Sequence, residues 1–435
     1  MSKTWRELGA WTERLTKSQF LRSVIALTSA SAVGQLILLA AMPLVTRLYS
    51  PSDFGIFAVF SAILAVVLVA SSLRYELAIP LPKGTEGARV LLFLALLINV
   101  VTAIVVAIVV AIWGRDFAQL YNLPDLAPAL WMLPLVLLGA GSYRTFRMWA
   151  VRRGDFNAIA TTKITQAASN VIFQIACGLA SFGVAGLVIG QFFGFSAGTF
   201  KLGRGVTFSM GDVSSRMWQR LSVLARRYIR FPKFDVAAAI INAISMQLPN
   251  FLLAILFTPT VAGLYLLADR ALGAPLSLLS QSIGQVLYSR SRKAVEQGRI
   301  GDLATNILGG LAAIAFVPTL VMFLWGEKIF TLVFGHEWAA AGSYASWLII
   351  GITANFLYSS VSLILMATNA QNLNLYIHSS MLGAKTAALV FGYLYGDPYV
   401  AIVAFALTNA LSNIAGTYAI VLHARRYALS GGRKA

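Results

Sequence analysis

Twelve apolar stretches, each near the ~20 residues a membrane-spanning helix needs, narrow the possible folds of this chain more than any other feature. They lie at about 23–46, 54–73, 88–112, 126–143, 157–180, 184–201, 235–257, 262–287, 303–325, 342–366, 373–395 and 398–422. The connections between them are too short to fold as soluble domains. In hydrocarbon every backbone polar group must be satisfied internally, so segments of this length become helices. Composition points the same way. Hydrophobic residues make up 58% of the chain and charged residues 11%, against about 25% charged in a soluble domain. The expected fold is therefore an all-α polytopic membrane protein.

One short pattern occurs twice. Ser50–Phe57 reads S-P-S-D-F-G-I-F and Thr258–Tyr265 reads T-P-T-V-A-G-L-Y, both between apolar runs. Pro opens the turn, Ser or Thr can cap the helix that follows, and Gly permits close backbone approach. Two copies at mid-chain separation indicate a duplicated half. Six spans separate the copies, so both face one side of the membrane. The halves are then two six-helix lobes, parallel repeats with a cavity expected between them, and such duplication suggests a transporter.

Basic residues fix the expected orientation. With the N-terminus inside, 29 of the 34 Lys and Arg fall in cytoplasmic segments, and the outer loops hold Arg47, Arg115 and Lys328. The excess of positive charge is thus spread along one membrane face, which argues against nucleic acid as partner. Arg270 and Lys385 remain, inside spans. The domain reading is residues 1–22 as an interfacial arm, 23–201 as the N-lobe, 202–234 as a linker, 235–422 as the C-lobe and 423–435 as a basic tail. Trp5, Leu8, Trp11 and Leu15 give the arm an apolar stripe, and the span that follows is read as retained rather than cleaved. Trp218, Leu221, Leu224, Tyr228 and Phe231 recur at helical spacing in the linker, with arginines on the flanking faces. That predicts an amphipathic helix that lies on lipid or tethers the halves.

Catalytic equipment is missing from the pattern. His336-Glu337 begins a zinc-binding pattern, but Ala340 stands where the second His belongs, and no phosphate-binding glycine loop occurs. The single Cys177 excludes a disulfide framework and any multi-cysteine metal site. No cofactor and no metal are expected. Polar residues within spans carry the functional signal, because intramembrane charges usually face a wet cavity or a partner. These are Gln35 in span one, Arg74 and Glu76 at the end of span two, and Asn242, Gln247 and Asn250 in span seven. Span eight adds Asp269, Arg270, Gln281 and Gln285, and span eleven adds Lys385. Together they would form a hydrogen-bonding wall with a few cations, suited to sugar hydroxyls and an anionic group. Glycines 186, 190, 194 and 198 form a ridge for close helix packing.

The chain resembles the O-antigen (Wzx-type) polysaccharide flippases of the multidrug/oligosaccharidyl-lipid/polysaccharide exporter superfamily. The resemblance rests on Gly34-Gln35, Pro43 to Gly55, Arg74-Tyr75-Glu76-Leu77-Ala78-Ile79, Leu267-Ala268-Asp269-Arg270, and Pro275-Leu276-Ser277 running on to Tyr288. It implies two lobes around a V-shaped cavity that opens alternately to either side. It also implies a multi-pass protein of the bacterial inner membrane, and the charge bias puts both termini on the cytoplasmic side. The implied cargo is an oligosaccharide repeat unit on undecaprenyl diphosphate, with other polysaccharide-assembly proteins as further partners. By position Arg270 and Lys385 would hold the diphosphate, with Arg74 as a weaker candidate. Whether protons are exchanged is not legible from the sequence; if they are, Glu76 or Asp269 would be the titrating group. Two other readings are a cation-coupled drug or solute antiporter of the same fold, and a polymerase or ligase of the same pathway. The first needs a buried carboxylate in the first lobe, and span one has no acid between Arg22 and Arg47. The second needs a sizeable outer loop.

Overall fold

The computed structural model describes residues 26–204, 206, 215–297, 299–368 and 370–429. The N-terminal arm, the 207–214 part of the linker and the end of the basic tail therefore lie outside the described residues. All regular structure among the described residues is helical. The principal helices are α1 (Ala26–Val45), α2 (Pro51–Ala70), α3 (Thr85–Leu120), α4 (Leu133–Arg153), α5 (Phe156–Leu179), α6 (Val184–Ser196), α7 (Ser215–Arg227), α8 (Val236–Leu256), α9 (Pro259–Glu296), α10 (Ile300–Phe334), α11 (Ala339–Ala367), α12 (Gln371–Tyr395) and α13 (Pro398–Leu429). A helix stands in each of the twelve expected stretches. Nine of the described helical segments are long and apolar enough to cross a membrane. The three expected spans that do not qualify are α5, α6 and α12. The second of these has only 13 residues, and the other two are studded with Asn, Gln, Ser, Thr and one Lys each.

Two compact units divide the chain, Met1–Leu48 with Phe60–Met246, and Tyr49–Val59 with Gln247–Ala435. The first turns of α2 thus belong to the second unit. The repeated turns show why. The Ser50 N–H and Oγ donate to Asp53 Oδ2 at 2.9 and 2.8 Å, and the Asp53 N–H donates back to Ser50 Oγ at 3.2 Å, a capping box at the start of α2. Thr258 Oγ1 accepts the Val261 N–H at 3.3 Å and caps α9 in one direction only, since Val261 has no side-chain acceptor to return the bond. The two helix starts then meet reciprocally. A Cβ on Gly55 would overlap the Pro259 carbonyl, and a Cβ on Gly263 would overlap the Pro51 carbonyl. Each copy of the motif supplies the glycine that admits the other copy's proline. Trp338 closes the contact edge-on against Phe54, ring centroids 4.9 Å apart.

Within the first unit, α6 packs along α5 through its glycines. Side chains at Gly190 and Gly194 would collide with Gln174 and Asn170, so the glycine ridge is a packing surface, as its spacing predicts. The linker helix α7 does not leave its apolar face to lipid. Leu221, Leu224, Ala225, Tyr228 and Phe231 pack on a core that includes Tyr75, Ile79, Leu91 and Leu92. Tyr75 Oη donates to the Ala225 carbonyl at 3.0 Å, and Arg220 pairs with Glu86. Arg226, Arg227 and Arg230 stay exposed. The amphipathic pattern is real, but its apolar side covers protein.

Candidate functional site

Each unit carries its own charged cluster. In the first unit it is built on the chain reversal after α2. Leu73 and Arg74 both adopt left-handed backbone, at φ 48° and 64°. Non-glycine residues held there cost about 1–3 kcal/mol each, and such strain persists only where the surroundings enforce it. The reversal leads into a single 3-10 turn, Tyr75–Ala78. This buries Glu76 to 4% exposure, where its carboxylate accepts from Ser72 Oγ.

Arg144 and Arg147 reach the same region from the last turns of α4, three residues apart and so on one helix face. Lys163 comes from α5, its Nζ 5.9 Å from the Tyr143 ring centroid, and Tyr143 Oη is hydrogen bonded to Thr162 Oγ1 at 2.9 Å. Arg144 lies within electrostatic reach of Glu76, Arg147 and Arg74, and Lys163 within reach of Arg147. Arg144 Nη1 donates to the Leu68 carbonyl at 2.9 Å. The Nε atoms of Arg74 and Arg147 are buried with no hydrogen-bond partner among the described residues. Four half-buried cations thus lie in one linked cluster, in which Arg144 is the one that Glu76 offsets.

Other arginines nearby are committed to structure. Arg152 Nη1 donates to the carbonyls of Pro80 and Pro82 at 3.2 and 2.6 Å. Arg153 donates to those of Arg204 and Leu202 at 3.1 and 3.3 Å.

In the second unit Asp269 and Arg270 sit in α9, about three turns from its capped start. The Arg270 guanidinium lies over the Phe57 ring, 5.2 Å from the centroid, a cation–π contact. Lys385 of α12 lies within electrostatic reach of Asp269 and of His378. Helix packing has brought this lysine to an acid far away in the sequence. Among the described residues none of these charges closes a direct ion pair. His378 Nε2 is 3.4 Å from Tyr358 Oη.

The amide residues are placed less coherently. Gln35 is half-buried in α1. Asn242 is exposed, and its Nδ2 reaches only the Met246 sulfur at 3.8 Å. Asn250 is buried; its Nδ2 donates to Gln247 Oε1 at 3.1 Å, while its Oδ1 is enclosed without a partner among the described residues. Gln281 is exposed, and the Gln285 side chain lies outside the described residues. No hydrogen bond among the described residues joins the Gln247–Asn250 pair to Gln281, and Ser277 and Ser280 bond to carbonyls of their own helix. Sequence reasoning missed Arg144, Arg147 and Lys163, because it used them only as orientation charges. Their available signal was the three-residue spacing of two arginines at the end of an apolar helix.

Comparison with known proteins identifies the fold. Residues 44–343 match the family model described as polysaccharide biosynthesis protein. No curated protein matches. Among solved structures the chain is similar to the lipid II flippase MurJ in an inward closed conformation, at 12% identity and TM-score 0.69, with 94% of this chain and 91% of that one covered. It is also similar to a mutant of the Vibrio cholerae MATE transporter VcmN, at 16% identity and TM-score 0.58, covering 94% and 98%. A third match is a multidrug resistance MATE family transporter of the MOP superfamily in an inward-facing conformation, at 11% identity and TM-score 0.62, covering 94% and 96%. The fold is that of the MOP-superfamily transporters.

Proposed function

This chain belongs to the polysaccharide biosynthesis protein family, and on that premise we propose that it is a flippase for lipid-linked oligosaccharides. Its cargo would be a repeat unit on undecaprenyl diphosphate, moved by alternating access from the cytoplasmic to the periplasmic leaflet of a bacterial inner membrane. The termini would be cytoplasmic, and the product would feed surface polysaccharide assembly.

One observation carries the reading. Among the described residues Arg74, Arg144, Arg147 and Lys163 form one cationic cluster in which Glu76 offsets Arg144, and two of their nitrogens are enclosed and unpaired. Buried cations without partners are costly, and an arriving anion relieves that cost. A diphosphate has the charge and the acceptor oxygens to do so, and arginine matches phosphate oxygens in forked geometry. Arg270 and Lys385 would offer a second, weaker station in the other unit. Moving two negative charges outward through ~100 mV, inside negative, releases about 4.6 kcal/mol at ~2.3 per charge, so export needs no ATP in principle.

The test is genetic and biochemical. Deletion of the gene is expected to leave undecaprenyl-linked repeat units on the cytoplasmic side, with rescue by the intact protein and not by Arg147→Ala. Normal surface polysaccharide in the deletion strain would overturn the proposal. Buried Glu76 beside the cations favours one secondary reading, in which transport is coupled to protons. In that case Glu76→Gln would abolish the dependence of transport on an imposed pH gradient.

A further inference from the structure

The second unit contains a cavity that neither charged cluster uses. It has a volume of about 390 Å³ and lies where α10 nears its end, against α11 and the first turn of α13. Phe323, Trp325, Glu327, Lys328, Trp347 and Tyr399 line it. Its size is typical of small-molecule sites. The loops at this end are those that the charge bias assigns to the outer side, where Trp and Tyr collect at headgroup level.

The lining is more ordered than an aromatic belt requires. The Tyr399 N–H donates to Asp397 Oδ1 at 2.8 Å, which fixes the start of α13. Trp347 Nε1–H donates to Tyr399 Oη at 2.8 Å, so the indole's polar edge is occupied and its orientation set. Phe323 meets that indole edge-on at 5.4 Å and 88°. Ser343 Oγ donates to Glu327 Oε2 at 3.0 Å, which aims the carboxylate and leaves its other oxygen to accept. Lys328 stands next in sequence, exposed and without an ion pair among the described residues.

A carboxylate oriented by one hydrogen bond among aromatic side chains suits an ammonium group, and a lysine on the same lining suits a phosphate. We propose that this cavity binds the headgroup of a zwitterionic phospholipid with a primary ammonium, of the phosphatidylethanolamine class, in the outer leaflet. Ammonium would meet Glu327 and the faces of Trp347 and Phe323, and phosphate would meet Lys328. A neutral sugar leaves both charges unused. An anionic phospholipid sets its charge against Glu327 with no ammonium to offset it.

Native mass spectrometry of the full-length protein in mild detergent tests this, with phosphatidylethanolamine, phosphatidylglycerol and maltotriose as competing probes. The expected result is retention of one phosphatidylethanolamine in preference to phosphatidylglycerol, with no trisaccharide bound. Glu327→Gln should weaken that retention on the order of tenfold, the scale of one charge-assisted hydrogen bond. Lys328→Gln should weaken it less, and both variants should keep the parent's thermal unfolding temperature. Equal retention of the two lipids, unchanged retention in Glu327→Gln, or preferential binding of the trisaccharide would each overturn the proposal.

Discussion

The two charged clusters differ in balance and in what holds them. In the first unit Arg74, Arg144, Arg147 and Lys163 are clustered with Glu76 offsetting Arg144, and the reversal that carries Arg74 is itself strained. In the second unit Arg270 and Lys385 share Asp269, on unstrained helices, and Arg270 rests on the Phe57 ring. An unbalanced cluster gains most from an incoming anion. A nearly balanced one can bind an anion only weakly, and so can also release it. On the proposed function the first cluster should then matter more for anion binding than the second, and that contrast can be attacked directly.

The largest effect should come from removing the frame of the second cluster. Gly55→Ala or Gly263→Ala forces the reciprocal helix starts apart; overpacking costs typically about 1–3 kcal/mol and more where, as here, the overlap is with a backbone carbonyl that cannot yield. Because Gly55 lies two residues before Phe57, the seat of Arg270 shifts with it. A clear fall in the unfolding temperature of the purified protein, for either variant, checks this. Next in size, Arg147→Ala should reduce lipid-linked oligosaccharide transport at least roughly tenfold with normal membrane insertion, since it removes a charge-assisted contact worth about 1.5–3 kcal/mol. Inverted vesicles with a labelled substrate would measure it.

A smaller loss, roughly threefold to tenfold, is expected for Lys385→Ala, because its neighbour Asp269 already offsets part of its charge. If Lys385→Ala proves worse than Arg147→Ala in the same vesicles, the greater weight proposed for the first cluster is wrong. Smallest of all, Asn242→Ala should change stability by less than about 0.5 kcal/mol and leave transport at the parent's rate, as befits an exposed side chain with one weak contact.

Some of these relations were readable in advance. The paired S/T-P-S/T turns announced their own caps, since Ser50 and Thr258 stand where a side-chain oxygen meets the first free N–H groups of a helix. The glycine in each copy announced a close approach, though not that the approach would be to the other copy. The pairing of Lys385 with Asp269 was not legible, because no acid lies within a turn of Lys385 in the sequence. The packing of Leu221 and Tyr228 on protein was equally hidden, since an amphipathic stripe looks the same whether it faces lipid or a neighbouring helix.

Local chemistry and solvent therefore settled the membrane fold, the helix positions and the caps from sequence alone. These depend on hydrophobic length and on hydrogen bonds spanning a few residues, which travel with the chain. Tertiary structure alone decided which charges meet. Electrostatic neighbours such as Glu76 with Arg144, or Asp269 with Lys385, lie 68 and 116 residues apart, and only helix packing sets the distance on which their interaction depends.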